Sequence, residues 1–554
     1  MNRTVKLARN NDAQRPAMGR MMGVQSDLPN PQKALNPGLA RAVSLHLEGN
    51  LDGALRELKA ACETDPHDPA LYSAMGFIEY ERHEYEQAAQ SYSKLLDLEP
   101  EHRAARFNKA ICYARLGRWD EAASGFEQAR LIDPSRLETC LGLGTCLLHL
   151  NQPVEALAAF DDYLRRYPEH EDAQLGKGVS LQQMGRLGEA KEVYLRILSK
   201  NRASEECLIN LTDIALTEKN YDRLREYAEA LLRLHPDSEH ALMALASAAF
   251  ERSDFMAAIK HCESLIRTEP DHFEGWFNLG VAHQKFGDFQ KAAEAYSHAA
   301  ILRRDSYEAR LDLGIALQKT GDLVGARAAY EQALQLNPKL PGAIWNLALV
   351  LEQQGEKAEA EKLYALLPED NPESAEASFR LGYLKLLRGD FRGGADAFKA
   401  CLKKRSDWPE AQLNVGIACW RAGDLTEARH AFESVLEARP GNVDALRGLA
   451  TLTLEEGDFR LAFGLHQKLI EMGQANAEIF YNAGLISQKL GEVRDAIVFY
   501  REALKIDPDF PEALLNLGHA LKFIGSQEDA RACWRKAISL KPELAAEYFE
   551  ADRN

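Results

Sequence analysis

The chain has 554 residues, of which 46% are hydrophobic and 27% are charged, an ordinary composition for a folded globular protein. Its formal net charge of −17 at pH 7 disfavours nucleic-acid and anionic-membrane partners, because binding phosphate groups requires a basic surface. The nine cysteines are scattered and form no CxxC pair, so we expect reduced thiols and neither a zinc site nor a disulfide framework.

Residues 1–34 come before the repeating part of the chain. They carry six Lys or Arg against two Asp, and we predict a disordered, mildly basic arm, with a functional tail as the alternative. They contain no apolar stretch of the kind found in secretory signals, and nowhere in the chain do about 18 apolar residues run together. We therefore expect a cytoplasmic protein with no transmembrane helix.

Residues 35–544 repeat with a period of 34, and fifteen copies follow one another without insertion or deletion. Numbering each repeat from 1, position 8 is Gly or Ala in fourteen copies and position 20 is Ala in thirteen. Position 24 is aromatic, position 32 is Pro and position 15 is Gly, in eleven copies each. Small residues let two helices approach, and the aromatic residue fills the gap between neighbouring repeats. Gly suits the left-handed end of a first helix, and Pro stops the second.

This pattern resembles the tetratricopeptide repeat family over 510 of the 554 residues. The resemblance implies an all-α fold, an α-solenoid wound as a right-handed superhelix of about fifteen helix-turn-helix repeats. The first helix of each repeat would line a concave groove. The chain is similar to the repeat region of O-linked N-acetylglucosamine transferases, without their catalytic domain.

Two parts of the array depart from the consensus. Repeat 6 (205–238) has Thr212, Leu224 and Ala228 at positions 8, 20 and 24, and repeat 7 has Cys262 at position 24. Fewer interlocking residues weaken the coupling between neighbours, so we predict a soft joint at 205–272 between stiffer arms, 35–204 and 273–544. Residues 545–554 are expected to add only a short helical stub, which would leave the array end near Trp534 partly uncovered or available for homo-oligomer contact.

Motifs for catalysis are absent from the sequence: we find no P-loop, no HExxH and no GxSxG. Only 44 residues, the difference between 554 and 510, lie outside the array, too few for a catalytic domain. We therefore predict a protein that is not an enzyme, with no catalytic residue, metal site or cofactor.

Position 6 is Asn in seven repeats, although Asn is a poor residue for a helix interior. These residues are Asn108, Asn210, Asn278, Asn346, Asn414, Asn482 and Asn516, and Asp312 and Arg380 occupy the same position in two other repeats. Each Asn offers one acceptor and two donors, so a row of them can pair with the backbone of an extended peptide. This is similar to the asparagine ladder of superhelical members of the family. The alternative is that each Asn bonds the backbone of a neighbouring helix.

Other candidate peptide-binding residues share the face of the Asn row. The bases at position 13 are Lys285, Lys319, Arg421 and Lys489, which in the alternative interpretation only offset the helix dipole. In this family positions 5 and 12 also turn toward the groove, and they hold Trp345, Phe379 and Trp420. Aromatic residues next to Arg are typical of interaction hot spots, whereas the alternative for Trp345 and Phe379 is packing between first helices. The clamp of co-chaperone members for a terminal carboxylate is disfavoured, because Glu376 would repel that group.

From these features we expect a non-enzymatic scaffold or adaptor that binds extended segments of other proteins. Two alternatives remain open at this point. The chain could be the substrate-presenting subunit of a separate enzyme, such as a glycosyltransferase, or a self-assembling structural protein. We expect neither nucleic-acid binding nor membrane insertion in any of the three.

Overall fold

The computed structural model describes residues 36–545, which form thirty α-helices and a short 3₁₀ turn at Pro542–Leu544, with no strand in this range. Two helices correspond to each 34-residue repeat, so the predicted all-α repeat solenoid is confirmed. The predicted arm at 1–34 lies outside the described residues, as does the predicted stub beyond Ala545. None of the helices in 36–545 is both long and apolar enough to cross a lipid bilayer.

The described chain divides into two compact bodies at the loop between Arg304 and Asp305. The helices of the first body are α1 (Pro37–Leu47), α2 (Leu51–Thr64), α3 (Pro69–Glu81), α4 (Tyr85–Leu98), α5 (Arg103–Arg115), α6 (Trp119–Ile132), α7 (Glu138–His149), α8 (Pro153–Leu164), α9 (Glu171–Gln183), α10 (Leu187–Lys200), α11 (Glu205–Thr217), α12 (Tyr221–Leu234), α13 (Glu239–Glu251), α14 (Phe255–Thr268), α15 (Phe273–Phe286) and α16 (Phe289–Leu302). The soft joint predicted at 205–272 falls inside this body and stays a prediction.

The second body contains the remaining seven repeats. Its helices are α17 (Tyr307–Thr320), α18 (Leu323–Leu336), α19 (Pro341–Gln353), α20 (Lys357–Leu366), α21 (Ser374–Arg388), α22 (Phe391–Lys404), α23 (Pro409–Ala422), α24 (Leu425–Ala438), α25 (Val443–Glu455), α26 (Phe459–Glu471), α27 (Ala477–Lys489), α28 (Val493–Ile506), α29 (Pro511–Phe523) and α30 (Gln527–Leu540). Within each body the second helix of a repeat packs against the first helix of the next.

The turn inside every repeat has a left-handed residue at position 15. Gly occupies this position in eleven repeats, and its φ there is positive in each. In repeats 2, 4, 6 and 7 the same conformation falls on His83, Asn151, Lys219 and Ser253, with φ values of 63°, 57°, 55° and 58°. A Cβ makes this conformation unfavourable, so the first body stores backbone strain at four turns that the second body lacks.

Small residues at position 8 are needed because the aromatic ring at position 24 lies against them. A Cβ built on Gly280 would lie 2.6 Å from the Tyr296 ring, and one on Gly144 would lie 2.8 Å from the Phe160 ring. Such close approach leaves room for little more than a hydrogen atom, and both rings are fully buried. This confirms the sequence-based interpretation of position 8, namely that a small residue there lets the two helices approach.

A hydrogen bond that the sequence pattern did not predict links the two helices of five repeats. The hydroxyl of the position-24 Tyr donates to a Gln or Glu at position 12: Tyr194 to Gln182 (3.0 Å), Tyr296 to Gln284 (2.7 Å), Tyr330 to Gln318 (2.8 Å), Tyr364 to Glu352 (2.7 Å) and Tyr500 to Gln488 (2.9 Å). Where position 24 is Phe, there is no hydroxyl to satisfy. Position 12 in those repeats is Ala114, Leu148, Leu386 or Trp420, and none of these side chains offers an oxygen acceptor. In these five repeats the polar partner accompanies the hydroxyl, as burial of a polar group requires.

Candidate functional site

The predicted ladder residues of the first body are buried. Asn108, Asn210 and Asn278 are 2%, 1% and 0% exposed. The Asn210 amide donates to the backbone oxygen of Glu206 at 2.7 Å, and the Asn278 amide nitrogen lies 3.9 Å from the sulfur of Met243 on the preceding first helix. Asn210 thus bonds the backbone of its own helix, and Asn278 contacts a side chain of the preceding first helix, so these two contacts are not the bond to a neighbouring backbone that the alternative interpretation describes.

Position 6 also lies against the aromatic ring of the preceding repeat. A Cβ on Gly142 would be 2.6 Å from Phe126, and one on Gly448 would be 2.6 Å from Phe432, so Gly is required beneath these rings. Every position-24 Tyr is followed by a polar residue at the next position 6: Asn108, Asn210, Asp312, Asn346, Arg380 and Asn516. The Tyr hydroxyl and a polar residue at the next position 6 therefore occur together in the sequence.

The ladder residues of the second body are more accessible, apart from Asp312, which is fully buried. Asn346, Asn414, Asn482 and Asn516 are all half-buried. The Asn346 amide donates to the Gly342 backbone oxygen at 2.8 Å, and the Asn516 amide donates to the Tyr481 hydroxyl at 3.0 Å.

Asn414 and Asn482 differ from the other ladder residues. Within residues 36–545, neither side chain makes a hydrogen bond. These two amides therefore keep their donors and acceptors for another molecule.

Position 9 shows the same contrast between the two bodies. In the second body all seven residues are half-buried or exposed, namely Ile315, Leu349, Tyr383, Ile417, Thr451, Leu485 and His519. In the first body five of the eight are buried, namely Ile111, Thr145, Val179, Ser247 and Val281. The second body thus presents a mostly apolar, accessible row beside its Asn residues, and we call this row with Asn414 and Asn482 the rung face.

The predicted bases at position 13 all have exposed side chains. Lys285, Lys319, Arg421 and Lys489 form no ion pair within the described part of the chain. The Arg421 guanidinium lies 5.4 Å from the centre of the Trp420 ring, a cation–π geometry. By contrast, acids at position 2 pair with bases at position 31 of the same repeat: Glu274 with Arg303 (2.7 Å), Glu410 with Arg439 (3.2 Å) and Glu512 with Lys541 (2.5 Å).

The predicted aromatic residues take part in packing. Phe379 stacks on Trp408 with ring centres 4.7 Å apart and meets Phe398 edge-on at 5.5 Å. Trp345 lies 5.6 Å from Tyr364, and the half-buried Trp420 donates from its ring nitrogen to Glu455 at 2.8 Å. Their role in binding stays a prediction.

Arg380, the cation predicted beside these rings, is held by its own chain. It pairs with Glu352 at 3.1 Å and with Glu376 at 3.3 Å, and its guanidinium lies 5.9 Å from the Trp345 ring. Replacing Arg380 by Ala would therefore change packing as well as any binding surface.

One group of side chains in the described range has a spacing suited to a metal ion, formed by Glu239, Glu269 and His272. His272 Nδ1 accepts from the Gly275 backbone N–H at 2.8 Å, as an N-cap of α15. The proton then lies on Nε2, which donates to Glu239 at 2.9 Å. In this tautomer the Gly275 N–H occupies the lone pair of Nδ1 and the proton occupies Nε2, so neither nitrogen is available to a metal. His102 and His170 cap α5 and α9 in the same way.

Comparison with known proteins agrees with this repeat geometry. The model described as "Tetratricopeptide repeat" matches residues 74–135, 141–206, 209–271, 243–309, 277–341, 379–443 and 413–477, which is more than half of the chain. A second tetratricopeptide model matches 317–381, and two further repeat models match 489–522 and 511–544. These matches define a helical repeat protein, and the chain belongs to the tetratricopeptide repeat family.

Individual relatives are distant. Protein CTR9 homolog of Arabidopsis thaliana is 27% identical over 92 residues, which is 16% of this chain and only 8% of that protein. The crystal structure of the APC/C hetero-tetramer Cut9–Hcn1 is 15% identical, covers 87% of this chain and 95% of its own, and has a TM-score of 0.31. The structure of Naa15/Naa10 bound to HypK-THB is 12% identical, covers 93% and 96%, and has a TM-score of 0.31.

Proposed function

We propose that this chain is a non-enzymatic scaffold that binds extended segments of other proteins along the rung face of its second body. Membership of the repeat family supports a role in protein interaction. The burial pattern favours the second body over the first, because a peptide needs accessible side chains to contact. The bound segment would lie across the first helices α17 to α29.

One observation carries the proposal: Asn414 and Asn482 are half-buried amides that make no hydrogen bond within 36–545. A helix-interior Asn without an internal partner costs stability, since better helix formers are available. Amides also match the alternating donors and acceptors of an extended backbone. Binding a peptide backbone would use the polar groups that folding leaves unpaired.

Two exposed apolar side chains on α21 extend this face. Tyr383 and Leu387 are 47% and 51% exposed, and their i, i+4 spacing places them next to each other on one side of the helix. They lie between the half-buried Leu349 and Ile417 in the order of the position-9 row. We propose that Tyr383 and Leu387 contact an apolar side chain of the bound segment, while the amides of Asn414 and Asn482 bind its backbone.

The test selects peptides from a displayed library of unstructured sequences and measures the affinity of the enriched peptides by fluorescence anisotropy. We expect the double variant N414A/N482A to weaken binding by about tenfold, the loss of two hydrogen bonds of ordinary strength. Tyr383→Asp should weaken the same peptides by a comparable factor through its apolar contact.

The matched control is the double variant N210A/N278A, which removes two buried ladder residues of the first body. It should lower stability and leave peptide affinity unchanged. Equal loss of affinity in both double variants would contradict the assignment to the second body, and unchanged affinity in N414A/N482A would refute the rung face.

A further inference from the structure

The two ends of the repeat array expose complementary faces. Inside each body the second helix of one repeat is covered by the first helix of the next. The last second helix, α30, has no such neighbour in the described range, and its outer side borders an open concavity of about 500 Å³. That concavity is lined by Arg531, Trp534, Arg535, Ile538 and Ser539. At the other end, α1 exposes Pro37, Ala40 and Leu47, with Glu48 at its end.

We propose that the outer face of α29 and α30 in one copy takes α1 of a second copy, so that the 34-residue register continues from chain to chain. The contacts that join one repeat to the next within the chain provide the template for this interface. Three of these contact types have the required residues at the two ends.

The first contact is an ion pair. A base at position 21 contacts position 14 of the next repeat: Lys191 pairs with Glu218 at 2.9 Å, Arg429 pairs with Glu456, and Arg327 donates to Gln354 at 3.5 Å. The last repeat has Arg531 at position 21, and the first repeat has Glu48 at position 14. Both side chains are exposed, and neither forms an ion pair within residues 36–545.

The second and third contacts involve apolar groups at the chain ends. Position 28 meets position 3 of the next repeat, as Ile266 meets Gly275, and at the ends these positions are Ile538 and Pro37. Position 12 meets position 13 of the next repeat, as the Arg115 side chain donates to the Tyr80 hydroxyl at 3.2 Å. At the ends the pair is Lys522 and Leu47, the latter 81% exposed, so Leu47 would cover the aliphatic stem of the lysine.

Because the two faces differ, the contact is heterologous, and it can propagate from copy to copy. This association is independent of peptide binding on the rung face. It would align the rung faces of successive copies along one assembly, which offers a single bound protein several equivalent sites.

The test is charge exchange in the full chain, followed by sedimentation velocity at increasing concentration. Wild-type protein should associate, whereas E48R and R531E alone should each weaken association by about tenfold or more, since each places like charges opposite one another. An equimolar mixture of the two variants should associate again, because the arginine introduced in one variant would face the glutamate introduced in the other. R494E, an exposed Arg→Glu change on α28, should behave as wild type.

Three outcomes would overturn the proposal. The wild-type chain could stay monomeric at high micromolar concentration. The two variants could remain apart after mixing while the wild type associates. Association could also appear only after deletion of residues 546–554, which would show that the chain's own C-terminal segment occupies the face of α30. I538D should abolish association under the proposal, and circular dichroism would confirm that this variant keeps its helices.

Discussion

The two bodies of this protein are made from the same repeat, yet they use it differently. In the first body the position-6 Asn side chains are buried, most position-9 residues are buried, and four turns have a left-handed residue that is not Gly. In the second body four of the five Asn and Asp residues at position 6 are half-buried, the whole position-9 row is accessible, and every such turn has Gly. One consensus can therefore produce a surface devoted to packing and a surface available for binding.

The difference lies in what surrounds each helix. In α7 every residue from Thr139 to Leu148 is buried, and in α13 every residue from Ala241 to Ala249 is buried. In α21 only Ser374, Ala377, Gly382 and Leu384 are buried, so most of that helix keeps contact with solvent. A first helix that is apolar or small all round is enclosed, whereas one with charges and large side chains keeps an open face.

The largest expected effect comes from placing a ladder residue where the first body has Gly. Gly142→Asn should destabilise the first body by about 3 kcal/mol, because its Cβ would overlap the buried Phe126 ring. Hydrogen exchange should show the loss concentrated in α6 to α9. In the second body, Asn414→Ala should change stability by less than about 0.5 kcal/mol, as expected for an unpartnered side chain. Equal effects at the two sites would show that the contrast between the bodies is wrong.

The next effect concerns backbone strain in the first body. Lys219→Gly and Ser253→Gly should each stabilise their turn by about 1 kcal/mol, since Gly adopts positive φ without the cost of a Cβ. The converse change, Gly321→Lys, should destabilise the second body by a similar amount.

The same variants test the soft joint predicted at 205–272. If these repeats are the weak part of the first body, amide protection there should be lower than in repeats 5 and 8, and the double Gly variant should raise it. Uniform protection in the wild type would rule out a joint at this place.

A loss of stability of similar size should be equal in both bodies. Tyr296→Phe removes a 2.7 Å hydrogen bond to Gln284 in the first body, and Tyr330→Phe removes a 2.8 Å bond to Gln318 in the second. Each change should cost about 1 kcal/mol, measured by thermal or denaturant unfolding. A markedly unequal cost would mean that the bodies differ in their cores as well as in their surfaces.

The smallest expected effect is a dependence on pH in the second body. His466 occupies the aromatic position 24, and burial lowers its pKa, although its hydrogen bond to the Ala462 oxygen opposes that shift. Below the ordinary histidine pKa of about 6.5 the unfolded chain binds a proton that the folded chain rejects, so stability falls as the pH falls.

His466→Phe removes this proton-linked group and restores a residue found at position 24 in four other repeats. Unfolding monitored between neutral and mildly acidic pH should show a smaller loss for the variant, by less than about 1 kcal/mol. An identical acid sensitivity in both proteins would show that His466 is not the group responsible. His261 and His283 of the first body, whose pKa values burial also lowers, should contribute to the sensitivity that remains.

Much of the fold could be read directly from residue spacing. Gly or Ala at position 8, Ala at position 20 and the ring at position 24 describe one contact repeated along the chain. These positions lie within the same 34-residue repeat, so their spacing predicts the contact. The association between a Tyr at position 24 and a polar residue at the next position 6 was harder to foresee, because the two residues belong to different repeats. A comparison of position 24 with the next position 6 would have found this relation, since each Tyr is followed by a polar residue.

By itself, the sequence determined the helix pairs, their turns and the family, because these depend on contacts that recur every 34 residues. It also placed nine polar residues in one register at position 6. Only the tertiary structure decided that Asn278 is buried against Met243 while Asn414 keeps an unpaired amide. Burial depends on all the neighbours of a helix at once, and residues with the same repeat position therefore need not have the same surroundings.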